Sequence, residues 1–111
     1  MSLLNADQVI IPIRKLTDYL LSESHPRGKE KARYLRSYGF TADRVDLLEA
    51  ALRSIALTGD LIATERSEHG MMYVVVGVST TPTGRMIRLR TVWIVEPADP
   101  RPRFVTAYPA R

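Results

Sequence analysis

The sequence predicts an α+β domain, with about three helices first and a four-stranded antiparallel meander sheet after them. The hydrophobic residues recur at helical spacing from Pro12 to Gly59 and alternate as in strands from Asp60 onward. The connections between the predicted strands are short, as antiparallel hairpins require. Helices and strands that are separated along the chain are typical of the α+β class. A chain of 111 residues can bury one core, so we expect residues 1–111 to form a single domain.

Three helices are predicted in the first half of the chain. The first runs from Pro12 to about Leu21, because a proline is tolerated in the first turn, where its missing N–H has no partner to lose. The second covers Lys29 to Tyr38 and ends at a glycine suited to the C′ position. The third runs from Thr41, a capping residue, to Gly59, with an apolar stripe on one side.

Four strands are predicted in the second half. The second strand is dense in valine and apolar on both faces, which is typical of a central strand. The six residues from Pro97 to Pro102 contain three prolines and are predicted to connect the third strand to the fourth. Before the helices, Val9 to Ile11 could form an edge strand or an arm that docks on the core. The predicted strands are residues 61–66, 71–79, 86–96 and 103–108.

The last two strands carry polar side chains that could form a site. Alternation places Arg88 and Arg90 on one side of the third strand, and Phe104, Thr106 and Tyr108 on one side of the fourth. Two guanidinium groups can hold a phosphate, and the hydroxyl groups can add neutral donors. The alternative is that both arginines are solvated on an exposed sheet face. The register of the strands decides whether the two sets share a face, and the sequence does not give it.

The composition narrows the kinds of chemistry available. A net charge of +4 favours a polyanionic partner such as RNA. The absence of cysteine excludes disulfides and thiolate metal sites, and the scattered carboxylates give no spacing suited to a metal. We therefore predict no metal and no cofactor. No apolar run reaches the roughly 20 residues that span a bilayer, and no signal segment opens the chain, so a cytoplasmic location without membrane contact is expected.

The start of the second predicted helix combines features of an anion site. Lys29 and Lys31 lie where the helix dipole disfavours cations but where free N–H groups attract an anion. His25 precedes them in a loop, and nearby cations disfavour its charged form, which suits a general base. The alternative is an ordinary loop histidine. We predict that Lys29, together with Arg88, binds RNA phosphate.

Several segments resemble known families. A group of small uncharacterised bacterial domains is similar over residues 15–21, 25–28, 31–32, 39–40, 90–94 and 105–109. More distantly, the closing Thr106-Ala-Tyr-Pro109 strand after an α-then-four-strand pattern resembles the Barnase–EndoU–colicin–RelE class of toxin ribonucleases. The single well-placed histidine departs from EndoU-type sites, which use two. The RelE type, which relies on arginine, lysine and tyrosine, fits better.

The resemblance implies a metal-independent ribonuclease that cleaves RNA through its 2′-hydroxyl. His25 would take the 2′-hydroxyl proton, Lys31 and Arg90 would hold the phosphate, and Tyr108 or Thr106 would orient it or assist the leaving oxygen. All five are therefore predicted catalytic residues. The resemblance also implies an acidic antitoxin or immunity protein as partner. The alternatives are a non-catalytic module that binds RNA or protein through the basic sheet face, and a plain structural subunit. The oligomeric state cannot be read from the sequence.

Overall fold

The computed structural model describes residues 2–22, 24–26 and 28–110. Helices occupy the first half of the chain and a four-stranded antiparallel sheet occupies the second, which confirms the predicted α+β class. The helices are α1 (Ile13–Lys15, continued by a π-helical turn at Leu16–Leu20), α2 (Lys29–Ser37) and α3 (Val45–Thr58), with 3₁₀ turns at Ala6–Gln8 and Ala42–Arg44. The strands are β1 (Asp60–Ser67), β2 (Gly70–Thr80), β3 (Met86–Glu96) and β4 (Asp99–Pro109).

The sheet has the order β1-β2-β3-β4, so each strand pairs with its neighbour along the chain. β4 begins at Asp99, and the prediction that Pro97 to Pro102 forms a connection is therefore wrong for most of that segment. Prolines fit there because β4 lies at an edge of the sheet, where fewer strand N–H groups need partners. On that edge Ile10 forms a parallel bridge to Arg103. Val9 and Ile11, on either side of it, are buried, so this segment both docks on the core and extends the sheet.

The helices cover one face of the sheet. Leu48, Leu52 and Ile55 of α3 are fully buried, as their helical spacing predicts. Close approach is possible because Gly77 of β2 has no side chain, since a Cβ there would lie 2.9 Å from Cγ2 of Ile55. Gly39 follows the C-terminal end of α2, and its φ of +93° favours glycine.

Aromatic side chains fill the core between the helices and the sheet. Trp93 of β3 is fully buried and packs edge to face against Phe104 of β4, with ring centroids 5.4 Å apart. Burying each large apolar side chain stabilises the fold by roughly 1.5–3 kcal/mol. Thr91 is buried beside them, where its hydroxyl donates a hydrogen bond to the carbonyl of Val75 and accepts one from the indole N–H of Trp93. The hydroxyl of Thr91 is therefore hydrogen-bonded both as donor and as acceptor within the core.

A bulge at Val105 determines what β4 shows on each face. Trp93 pairs with Phe104, whereas Val92 pairs with Thr106, so one extra residue lies between the two pairs. Phe104 therefore faces the core while Thr106 faces the opposite side. The predicted strict alternation, which placed these two residues on one side, is wrong here because a bulge interrupts the period of two.

Candidate functional site

The register places the predicted polar residues of β3 and β4 on one face. Arg90 pairs with Tyr108, and Val92 pairs with Thr106. Directly paired residues of antiparallel strands project to the same side. This is the side that faces away from the buried Trp93. The sheet thus brings Arg90, Tyr108 and Thr106 together near the edge that the helical half of the chain reaches.

The helical half contributes a lysine and a tyrosine to this edge. The ammonium group of Lys31 donates hydrogen bonds to the hydroxyl oxygens of Tyr19, at 2.6 Å, and of Thr106, at 3.0 Å. The two hydroxyl oxygens are themselves 3.0 Å apart and share a hydrogen bond. We call Lys31, Tyr19 and Thr106 the hydroxyl–ammonium triad. It joins α2, the first helical segment and β4, which are 12 to 87 residues apart in sequence.

Local backbone features hold the triad in place. Tyr19 lies in the π-helical turn, where the N–H of Leu21 bonds to the carbonyl of Leu16 at 2.8 Å. Such turns are frequent at functional sites, because the wider helix reorients its side chains. The start of α2 packs directly against this turn, since a Cβ on Gly28 would overlap the carbonyl oxygen of Tyr19. Glycine at this position allows α2 to bring Lys31 to Tyr19.

Arg90 and Tyr108 extend the triad along the sheet. Two cations lie near the phenol ring of Tyr108, with Nζ of Lys31 and Cζ of Arg90 each 6.0 Å from its centroid. Nε of Arg90 is buried, and among the residues that the structure describes it has no hydrogen-bond partner. A buried N–H group without a partner is costly to the fold.

His25 lies at the side of the triad. Its ring makes an edge contact with Tyr19, with centroids 4.9 Å apart. Its Nδ1 accepts a hydrogen bond from the backbone N–H of Gly28 at 3.2 Å. A neutral imidazole that accepts at Nδ1 carries its proton on Nε2. The role of His25 as a general base stays a prediction, and one of its two ring nitrogens, Nδ1, already faces a donor.

A solvent-filled cleft of about 860 Å³ opens beside the triad. Among the described residues, its walls carry three cations and the carboxylate of Asp18, which pairs with Arg14 at 3.2 Å. Nζ of Lys15 lies 3.4 Å from the carbonyl oxygen of Val105 and 5.6 Å from the centroid of the Tyr19 ring. The excess of positive charge favours an anionic ligand. The cleft is lined by Arg14, Lys15, Asp18, Tyr19, His25, Lys31, Val105 and Thr106.

The phenol of Tyr19 is electrostatically perturbed. Burial raises its pKa, but hydrogen bonds from Lys31 and Thr106 and the charges of Lys31 and Lys15 together outweigh burial and leave the pKa below its ordinary value of 10.0. Hydrogen bonds and positive charges favour the phenolate, which explains the direction of the shift. A perturbed pKa in a cleft is a physical indication of a functional group.

The other predicted phosphate-binding residues lie outside the triad. Arg88 is exposed two residues from Arg90 on the same sheet face. Lys29 is exposed in the first turn of α2, and no hydrogen bond or ion pair among the described residues joins it to the triad. The sequence reasoning missed Tyr19 and Lys15 as site residues. Both belong to the segment 15–21 that carries the family resemblance, which is the signal that could have identified them.

The part of the chain that the structure describes contains neither a cluster of metal ligands nor a membrane-spanning helix. No three histidine, cysteine, aspartate or glutamate side chains come close enough together to hold a metal ion. No helix among these residues is long and apolar enough to cross a membrane.

The chain therefore has an α+β fold with a cationic cleft, lined by hydroxyl groups, at one edge of the sheet. Residues 2–111 match the family described as a domain of unknown function (DUF6883), and the chain belongs to that family. The predicted resemblance to a family without an assigned activity is thereby confirmed. No curated protein matches the chain.

Among solved structures, the chain is similar to one chain of a contact-dependent growth inhibition toxin–immunity protein complex from Klebsiella pneumoniae 342. The superposition has a TM-score of 0.75 and covers 96% of this chain and 97% of the other, with 16% sequence identity. At that identity the likeness establishes a shared fold.

Proposed function

We propose that the protein is a metal-independent ribonuclease of the toxin type. The single observation that carries the proposal is the hydroxyl–ammonium triad, on the same sheet face as Arg90, whose buried Nε has no hydrogen-bond partner among the described residues. Lys31, Tyr19 and Thr106 line a cleft open to solvent, and Arg90 lies on the same sheet face as Thr106. Positively charged donors positioned where negative charge develops are the main requirement for catalysis at phosphorus without a metal.

Lys31 and Arg90 are placed to hold one phosphate. Both cations lie 6.0 Å from the centroid of the Tyr108 ring, and this supports a shared phosphate beside that ring. Guanidinium offers two parallel donors to phosphate oxygens, and ammonium adds a point charge. As the 2′-oxygen attacks, negative charge grows on the phosphate oxygens, and these two groups stabilise it.

Thr106 and Tyr108 orient the phosphate in this proposal. They project from β4 on the same side, two residues apart, and a strand holds them more rigidly than a loop would. The need for a 2′-hydroxyl restricts the reaction to RNA. The products are a 2′,3′-cyclic phosphate and a 5′-hydroxyl end. The predicted transfer of the 2′-hydroxyl proton to His25 competes with the hydrogen bond that Gly28 donates to its Nδ1.

The similar solved structure is a complex of a toxin with an immunity protein, and this supports a cognate protein partner for the present chain as well. An inhibitor of the proposed site has to cover a cleft whose described lining carries more cations than carboxylates. We therefore expect it to present acidic side chains, with association that weakens as salt rises. Lys15→Glu should weaken the complex with such an inhibitor, because it reverses a charge at the mouth of the cleft.

The direct test is incubation of purified protein with single-stranded RNA in the presence of EDTA. We expect cleavage that leaves 2′,3′-cyclic phosphate ends, and loss of cleavage in Arg90→Gln with an unchanged far-UV circular dichroism spectrum. A matched control is Arg53→Gln, which removes an arginine of α3 that is bonded to Glu49 and the carbonyl of Val9, away from the cleft. Its folded fraction should cleave RNA as the wild type does.

Intact RNA after exposure to folded wild-type protein would reject the ribonuclease. Salt-sensitive retention of that intact RNA would instead support the binding module, which uses the same cations without chemistry. Retention of an acidic protein in place of RNA would indicate a protein-binding role.

A further inference from the structure

We propose that Tyr19 is the general base of the site, with Lys31 as the group that both activates it and returns its proton. This inference rests on the proposed ribonuclease function and assigns a catalytic residue that the sequence reasoning did not name. The observations behind it are the position of the phenol in the cleft, its short contact with Lys31 and the orientation of the neighbouring histidine.

The contact geometry favours proton transfer at Tyr19. Its hydroxyl oxygen receives a hydrogen bond from Lys31 at 2.6 Å and lies 3.0 Å from the hydroxyl of Thr106. Tyr19 also lines the cleft where the substrate would bind. An ammonium donor at such a distance stabilises the phenolate, as the lowered pKa of Tyr19 shows. A base must lie within hydrogen-bond reach of the proton it removes, and this cleft wall meets that requirement.

His25 is less suited to the same task. The N–H of Gly28 donates a hydrogen bond to Nδ1 of the ring at 3.2 Å. Protonating Nδ1 would bring two N–H groups face to face. The edge contact with Tyr19, at 4.9 Å between centroids, gives His25 a different role, which is to support the phenol ring. His25 is therefore a positioning residue in this proposal.

The proton balance closes within the Lys31–Tyr19 pair. The phenolate of Tyr19 takes the proton of the ribose 2′-hydroxyl as the bond from O2′ to phosphorus forms. The bond from phosphorus to O5′ breaks, and O5′ takes a proton from the ammonium of Lys31. The phenol then returns its proton to Nζ of Lys31 across their hydrogen bond. The pair ends as it began, and no other reactant is consumed.

The charged and polar groups around Tyr19 determine how the rate of cleavage depends on pH. Lys31 from α2 and Lys15 from its own helix favour the phenolate, whereas the carboxylate of Asp18 lies nearby but is paired with Arg14. The His25 ring makes an edge contact with the Tyr19 ring. The active phenolate form has lost one proton relative to the phenol–ammonium form. Cleavage should therefore accelerate about tenfold per pH unit until the pH reaches the pKa of Tyr19.

The decisive measurement is the rate of RNA cleavage in EDTA between about pH 6 and pH 9.5 for the wild type, Tyr19→Phe and Tyr34→Phe. The wild-type rate should keep rising above pH 7, whereas a histidine base would give a plateau above about pH 6.5. Tyr19→Phe keeps the ring and should lose roughly 100-fold or more of the rate. Tyr34→Phe is the matched control, since Tyr34 is a half-buried tyrosine that packs on Tyr38, and it should cleave as the wild type does.

A second readout does not depend on activity. The tyrosinate absorbance of wild type minus that of Tyr19→Phe reports the titration of Tyr19, and Lys31→Gln should shift that titration to higher pH. If the wild type cleaves RNA and Tyr19→Phe cleaves it at the same rate, Tyr19 is not the base. The same conclusion follows if the wild-type rate reaches a plateau above about pH 6.5. In both cases the proposed ribonuclease activity would still stand. Absence of wild-type cleavage would reject both. An ordinary phenol titration for Tyr19 would also overturn the proposal.

Discussion

Two threonines on neighbouring strands each lie at the centre of a hydrogen-bond cluster, and the two clusters differ in burial and charge. Thr91 of β3 is 0% exposed, and its hydroxyl is satisfied by the carbonyl of Val75 and the indole of Trp93, each at 2.8 Å. Thr106 of β4 is partly exposed, and its hydroxyl meets Lys31 and Tyr19, each at 3.0 Å. The first cluster is neutral and closed to solvent. The second contains a charge and faces the cleft.

The difference separates stability from function within one sheet. A buried neutral cluster with every partner present stabilises the fold and offers nothing to a ligand. A charged cluster at the rim contributes less to folding, since solvent screens it, but it can exchange its partners for those of a substrate. Substitutions in the Thr91 cluster should therefore change unfolding, and those in the Thr106 cluster should change activity.

The largest effect is expected at Lys31. Lys31→Met keeps most of the packing of the side chain on Tyr19 but removes the ammonium that bonds to Tyr19 and Thr106. Cleavage of RNA should fall about 1,000-fold, equivalent to roughly 4 kcal/mol of transition-state stabilisation. The melting temperature should change little. Arg33→Met removes an exposed charge from the same helix and serves as the control. Equal losses of activity in both variants would show that only net charge matters.

The next effect is expected in the closed cluster. Thr91→Val removes the acceptor of the Trp93 N–H in a site with 0% exposure. An unsatisfied buried donor costs about 1–3 kcal/mol, so the free energy of unfolding in urea should fall by that amount. The rate of cleavage per folded molecule should not change. A loss of activity without a loss of stability would contradict the separation of the two clusters.

Much of this separation could be predicted from the sequence. The period of two in β3 assigned Trp93 to one face and Arg90 to the other, because a buried strand and its exposed side differ in hydrophobicity. The register that joins Arg90 to Tyr108 could not be predicted, because the bulge at Val105 shifts it by one residue and leaves no mark in the residue pattern. Turn geometry and packing set that shift.

The helical side of the site was only partly predictable. Lys31 stood out because a cation in the first turn of a helix opposes the dipole. Tyr19 gave no such sign, since an aromatic residue next to buried leucines is usually part of the core. Its role depends on the π-helical turn and on the close contact with Gly28, both of which arise from tertiary packing. Local patterns do not encode contacts between segments this far apart.

A smaller effect is expected at Thr106 itself. Thr106→Val removes one hydroxyl from the triad while Lys31 keeps its shorter contact with Tyr19. The loss of one neutral hydrogen bond corresponds to about 0.5–1.5 kcal/mol, so cleavage should fall by up to roughly tenfold. Thr106→Ser retains the hydroxyl and should restore most of the rate. If the serine variant is as slow as the valine variant, the methyl group matters and the hydroxyl does not.

The smallest effect is expected at Arg88, which is exposed on the same face as Arg90 but lies outside the triad. Arg88→Gln should weaken RNA binding only a few-fold at low salt, because solvent screens an exposed charge. If Arg88 contacts a phosphate, the slope of log affinity against log salt should fall by about one. Arg66→Gln, an exposed charge of β1, should leave that slope unchanged. If Arg88→Gln and Arg66→Gln give the same salt dependence of RNA affinity, Arg88 does not bind a phosphate. Phosphate binding would then be limited to the triad and Arg90, because only charges that displace counterions contribute to the slope.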